Sequence, residues 1–137
     1  MAASSSSGAT KRLVQYVVVR SDLIHGLSWP LGAVITQACH AATAVIHVNY
    51  SDPDTQEYLA DLDNMHKVVL QATDEASLTQ LSRMLSEHGV AHKLWTEQPE
   101  NFPTCLALKP YPKDSPGEAE PCFERGSVQN FSSRVRK

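Results

Sequence analysis

The run Leu13–Arg20 constrains the fold of this chain more than any other segment. It reads Leu-Val-Gln-Tyr-Val-Val-Val-Arg, so it is apolar except for Gln15 and the final arginine, and it is rich in β-branched valine. Such a run is typical of a strand that is buried on both faces in the middle of a sheet. We therefore expect a central strand here.

Helix and strand patterns alternate after this run. Proline and capping residues predict helices over about 30–48, 53–62 and 74–88, and short apolar runs predict strands over 66–72, 91–96 and 104–109. Four strands with helices between the first three indicate an α/β fold. We expect a three-layer domain in which a small four-stranded mixed sheet is flanked by helices.

Composition divides the chain into three parts. Residues 1–10 are mainly Ala, Ser and Gly and predict a disordered lead-in, whereas residues 11–110 are long enough for one domain with its own core. Residues 111–137 are rich in Pro, Gly, Glu, Ser and Arg with scattered apolar side chains. That composition predicts a flexible tail.

Residues 1–10 and the three cysteines bear on the cellular location of the protein and on its cofactors. Residues 1–10 contain neither a secretory signal nor a membrane-spanning run. The cysteines at 39, 105 and 122 lack the spacing of a metal site. We expect a cytoplasmic protein without membrane attachment, bound metal or other cofactor.

The predicted helix over 30–48 carries a histidine on its polar face. Thr36, His40, Thr43 and His47 recur at helical spacing, and Val34, Ala38, Ala41 and Val45 follow the same steps on roughly the opposite face. Gln37 lies one turn before His40, close enough to hydrogen-bond its ring or a shared substrate. His40 is therefore expected to face solvent.

The order of these motifs resembles the second, archaeal and eukaryotic, type of peptidyl-tRNA hydrolase. That family combines a strand ending in V-R-x-D-L, a helix with G-K-x-A-A-Q-x-x-H-A, a K-V strand and a final T-x-L-x-[IL]-x-P strand. The matching residues are Arg20, Asp22, Leu23, Gly32, Gln37, His40, Ala41, Lys67, Val68, Thr104 and Pro110. Trp29-Pro30 and the loop over 97–101 match a divergent eukaryotic branch of the family.

The resemblance implies hydrolysis of the ester between a peptide, or an N-blocked amino acid, and tRNA. It implies that His40 transfers protons, that Gln37 orients the reaction and that Thr104 lies near the ester. The expected substrate-binding residues are Arg20, Asp22, Lys67 and Glu97, the last replacing a carboxylate of the family's loop. Arg20 and Asp22 lie at the carboxyl end of the central strand, at the sheet edge where α/β folds place ligands.

Structural interpretations of the same residues stay open. His40 could be an ordinary surface histidine, Thr104 a strand threonine and Lys67 a solvated lysine. Arg20 and Asp22 could form an ion pair that holds the following loop.

Two departures from the family pattern leave a second function open. Ala33 stands where the family has a lysine, and the loop after the third strand is shortened. Residues 11–110 carry seven Lys and Arg against eleven Asp and Glu, a net charge of −4, whereas tRNA binding favours a basic patch. The alternative to an enzyme that binds peptidyl-tRNA weakly is an inactive domain that binds RNA or an unknown protein partner.

Overall fold

The computed structural model describes residues 12–113 and 119–131. Its helices are α1 (Asp22–His25), α2 (Leu31–Val48), α3 (Pro53–Ala60), α4 (Glu75–Glu87) and α5 (Ala119–Arg125), and a 3-10 turn follows α3 at Leu62–Asn64. Its strands are β1 (Leu13–Arg20), β2 (Lys67–Ala72), β3 (His92–Glu97), β4 (Phe102–Leu108), β5 (Tyr111–Pro112) and β6 (Gln129–Asn130). The helices and strands predicted from sequence are all present within a few residues.

β1 is the central strand, as its valine-rich sequence predicts. The order across the sheet is β3-β4-β1-β2-β6, with β2 parallel and β4 antiparallel to β1, and β5 pairs with the start of β1. This confirms a mixed α/β sheet. The expected count of four strands is exceeded because β5 and β6 have two residues each, too short for an alternating pattern to reveal them.

Alternate side chains of β1 enter two separate core clusters. Val17 and Val19 pack with α2 on one face of the sheet, and Val18 packs with α4 and α5 on the other. This alternation follows from the two-residue period of a strand. The molecule therefore has the expected three layers, and α2 with the short α1 covers the face of the Val17 cluster.

α2 begins directly after Pro30, whose fixed φ suits the residue that precedes a helix. Val34, Ala41 and Val45 are buried, whereas the predicted polar stripe that contains His40 is exposed. By length and composition α2 could span a membrane. Its packing on the sheet accounts for part of its apolar character.

The prediction of a flexible tail from residue 111 differs from what the structure describes. α5 buries Ala119, Cys122 and Phe123 in the core cluster around Val18. The rings of Phe123 and Tyr16 meet edge to face with centroids 5.3 Å apart. Composition missed this helix because three buried residues in a polar segment do not raise its mean hydropathy. The predicted lead-in over 1–10 and residues 114–118 and 132–137 lie outside the described residues.

Phe123→Ala tests whether α5 belongs to the core. The substitution removes a buried ring, and we expect it to lower the free energy of unfolding by about 3 kcal/mol or more in urea denaturation. Glu124→Ala, on the exposed side of the same helix, is the matched control and should change stability by about 0.5 kcal/mol or less. Equal effects of the two substitutions would contradict the packing of α5.

Candidate functional site

A β-bulge at Thr104 creates the centre of the candidate site. β3 and β4 pair Trp95 with Cys105 and then Thr96 with Pro103, so Thr104 is the extra residue on β4. An extra residue re-aims side chains that would otherwise alternate between the two faces. Thr104 consequently reaches α2, on the face where Cys105 also packs.

The Thr104 hydroxyl donates a hydrogen bond of 2.9 Å to Oε1 of Gln37. Both residues are buried, so leaving either group without its partner would be costly. The bond also fixes the orientation of the Gln37 amide, whose Nε2–H groups remain as donors. The spacing left Gln37 able to reach the His40 ring or a shared substrate. The structure pairs its oxygen with Thr104, which joins two of the predicted site residues.

His40 lies on the exposed stripe of α2 and stacks on Trp95. The two rings are 4.7 Å apart between centroids and inclined by 26°. Trp95 Nε1 donates to Oε1 of Glu97 at 3.3 Å, so the indole links Glu97 to His40. Sequence reasoning missed Trp95, because a tryptophan in a strand is an ordinary residue until the neighbouring helix is placed.

Arg20 and Asp22 form the ion pair of the structural interpretation. Arg20 Nε and Nη2 each donate to one carboxylate oxygen of Asp22 at 2.9 Å. Arg20 Nη1 donates to the Pro103 carbonyl at 2.9 Å and lies 3.7 Å from Glu75. The guanidinium is buried and sits 4.6 Å above the Phe102 ring. It positions the chain immediately before Thr104, and its charge is already compensated.

Lys67 lies at the other end of the sheet from these residues. It pairs with Gln15 in the β1–β2 register, whereas Arg20 pairs with Ala72, five residues further along. Five strand residues span about 16 Å. The Lys67 ammonium donates to Gln15 Oε1 and to the Tyr58 hydroxyl. The structure therefore does not bring Lys67 together with Thr104, Gln37 and His40.

The cysteines near the site do not form a nucleophile with His40. Burial raises the pKa of the Cys105 thiol, which keeps it neutral. Cys39 is exposed and lies next to His40 in the helix, about 100° away around the axis. Within 12–113 and 119–131, no group of three His, Cys, Asp or Glu side chains could hold a metal ion.

The site thus combines neutral donors and acceptors with one histidine. The Thr104 hydroxyl and the Gln37 amide are joined beneath α2, and the imidazole of His40, the side-chain type that most often transfers protons in enzymes, lies one turn further along. This set suits proton transfer and the binding of an oxyanion at a polar bond. The protein is therefore of the α/β class, and its candidate site at the end of the central strand is of the hydrolase type.

Comparison with known proteins agrees with this class. The sequence model described as Peptidyl-tRNA hydrolase PTH2 matches residues 13–117. The chain therefore belongs to the PTH2 family of peptidyl-tRNA hydrolases. The match covers β1 to β5, and hence the Thr104 bulge, α2 and the Arg20 ion pair.

Two curated relatives are similar over most of their length. The chain is 50% identical over 116 residues to "Putative peptidyl-tRNA hydrolase PTRHD1" of Homo sapiens, which covers 83% of each protein. It is 52% identical over 103 residues to the protein of the same name from Mus musculus, which covers 74% of each.

A double-mutant cycle tests the bond between Thr104 and Gln37. Thr104→Val leaves the Gln37 oxygen buried without its donor, and we expect a loss of about 1–3 kcal/mol in the free energy of unfolding. Gln37→Leu in the Thr104→Val background should restore part of that loss, because two apolar groups replace the pair. Additive effects in urea denaturation would show that the two side chains do not interact.

Proposed function

We propose that this chain hydrolyses the ester bond between a peptide and the ribose of tRNA at the Thr104–Gln37–His40 site. Membership of the PTH2 family and the "peptidyl-tRNA hydrolase" in the names of both relatives support the reaction. The observation that carries the proposal is the buried Thr104–Gln37 bond beside the exposed His40. The uncharged Thr104–Gln37 pair would hold the substrate, and the neighbouring His40 would exchange the protons.

The reaction requires a water molecule to attack the ester carbonyl while the bond to the ribose oxygen breaks. In this proposal His40 takes the proton of the attacking water and returns it to the departing ribose oxygen. The Nε2–H donors of Gln37 stabilise the negative charge that forms on the carbonyl oxygen. Thr104 holds the Gln37 amide in the required orientation.

Trp95 is a positioning residue in this scheme. Its indole supports one face of the His40 ring and is itself held by Glu97. The other predicted substrate contacts have different positions: Arg20 and Asp22 are committed to each other, and Lys67 lies at the far end of the sheet. Binding of tRNA therefore depends on few cations, and we expect a dissociation constant no tighter than micromolar at physiological salt.

His40→Ala should lower the release of N-acetylated amino acid from its tRNA by about a hundredfold or more. The control is His47→Ala, which removes an equally exposed histidine from the same stripe two turns further along α2. It should retain activity, and neither change should alter stability by more than about 1 kcal/mol. Retained activity in His40→Ala would contradict the assignment.

A binding domain without turnover is the second candidate. It is favoured by the pairing of Arg20 and Lys109 with carboxylates. Arg20 is paired with Asp22, and Lys109 is buried 3.1 Å from Asp52. Ala33, on the same side of α2 as His40 and Gln37, contributes no charge. A site with this little free positive charge suits weak contact with RNA better than efficient catalysis.

Ala33→Lys separates the two candidates. A lysine there would add a charge-assisted donor beside the ester, worth about 1.5–3 kcal/mol. If the wild-type protein is an enzyme, we expect a higher kcat/KM for N-acetyl-aminoacyl-tRNA. His47→Lys, which adds the same charge to the exposed stripe about four turns from Ala33 and about two turns beyond His40, should not raise it. If Ala33→Lys binds tRNA more tightly than the wild type and neither protein hydrolyses the ester, the result would favour the binding domain.

A further inference from the structure

An apolar groove of about 580 Å³ lies between α2 and β2, on the opposite side of α2 from His40. Leu31, Ile35 and Ala38 of α2 form one wall, and Val69 of β2 and Phe131 form the other. A groove of this size and apolar character is typical of sites for small ligands. It lies outside the site described above.

The sheet order explains why this groove is open. α2 packs over β4, β3 and β1, and the part of the same face that belongs to β2 is left beside it. Exposure of the wall residues follows: 63% of Leu31, 54% of Ile35 and 39% of Val69 are accessible. Large apolar side chains exposed together usually mark a binding surface.

One cation lines this apolar surface. Lys67 borders the groove at the amino-terminal end of β2. Its ammonium donates to two uncharged acceptors, Gln15 Oε1 and the Tyr58 hydroxyl, and has a third N–H to offer. None of the ion pairs among the described residues includes Lys67, and desolvation lowers the pKa of its ammonium. An added anion would relieve that cost.

We propose that this groove binds a small amphiphile made of one apolar chain and a carboxylate, with the carboxylate on Lys67 and the chain along Leu31, Ile35 and Val69. The groove extends from Lys67 to Val19, which is level with Gln71 of β2. Four strand residues separate these levels, about 13 Å, so a medium-length alkyl chain fits. The proposal is independent of the hydrolase activity.

The charges of the two chain ends do not complement Lys67. Residues 132–137 are Ser-Ser-Arg-Val-Arg-Lys, and residues 1–11 contain a lysine and no Asp or Glu. Neither segment offers a side-chain carboxylate to Lys67, and the first brings three further cations. A second copy of the chain is a competing occupant, and it is an outcome of the test below.

Titration of the isotope-labelled full chain with octanoate tests the proposal by NMR. We expect saturable shifts of the amides of α2 and β2 that face the groove. Octanoate should bind about tenfold or more tightly than 1-octanol or octylammonium, because only the carboxylate forms a charge-assisted bond with Lys67. Equal binding of the three ligands, or no saturable shift, would overturn the proposal without any variant.

Two substitutions locate the ligand. Lys67→Met should remove the preference for octanoate over 1-octanol, whereas Lys93→Met, the same change at an exposed position of β3, should keep it. Ile35→Asp should abolish binding. Preference retained in Lys67→Met would overturn the role of the cation. Groove shifts that depend on protein concentration rather than on octanoate, with a dimer in sedimentation, would assign the groove to a second copy.

Discussion

The buried guanidinium of Arg20 is the contact on which the candidate site depends. It ends the central strand, binds both oxygens of Asp22 in the next helix and donates to the carbonyl of Pro103 on the neighbouring strand. A buried cation requires such partners, because an unpaired charge in the interior costs several kcal/mol. The bond to Pro103 therefore fixes the backbone at the start of β4, and Thr104 is the next residue.

The bulge at Thr104 shapes the candidate site. A regular strand would direct Thr104 and Cys105 to opposite faces, and the extra residue lets both approach α2. The Gln37 amide is then held from below by a strand and His40 from the side by Trp95. Strands β3 and β4 thus hold two side chains of α2, the buried Gln37 and the exposed His40, which is the kind of positioning that the proposed reaction calls for.

Much of the fold follows from local patterns. The valine-rich β1, the proline before α2 and the capping carboxylates Asp52 and Asp74 each act within a few residues, so the sequence shows them directly. α5 escaped prediction because its stability comes from Phe123 packing on Tyr16 across more than a hundred residues of chain. Propensity and composition average over neighbours in sequence and carry no information on such contacts.

The amino-acid sequence by itself determined the α/β class, the exposed stripe of α2 with His40 and the family motifs that point to a hydrolase. Periodicity alone is enough for the first two, because a helix turns by a constant angle and a strand alternates. The motifs point to a hydrolase only through their resemblance to a known family. Only the tertiary structure decided the partners: Gln37 with Thr104, His40 with Trp95, and Lys67 far from both. These pairings depend on strand order and on a single extra residue in β4, and a shift of one residue in register turns every side chain to the other face of a sheet.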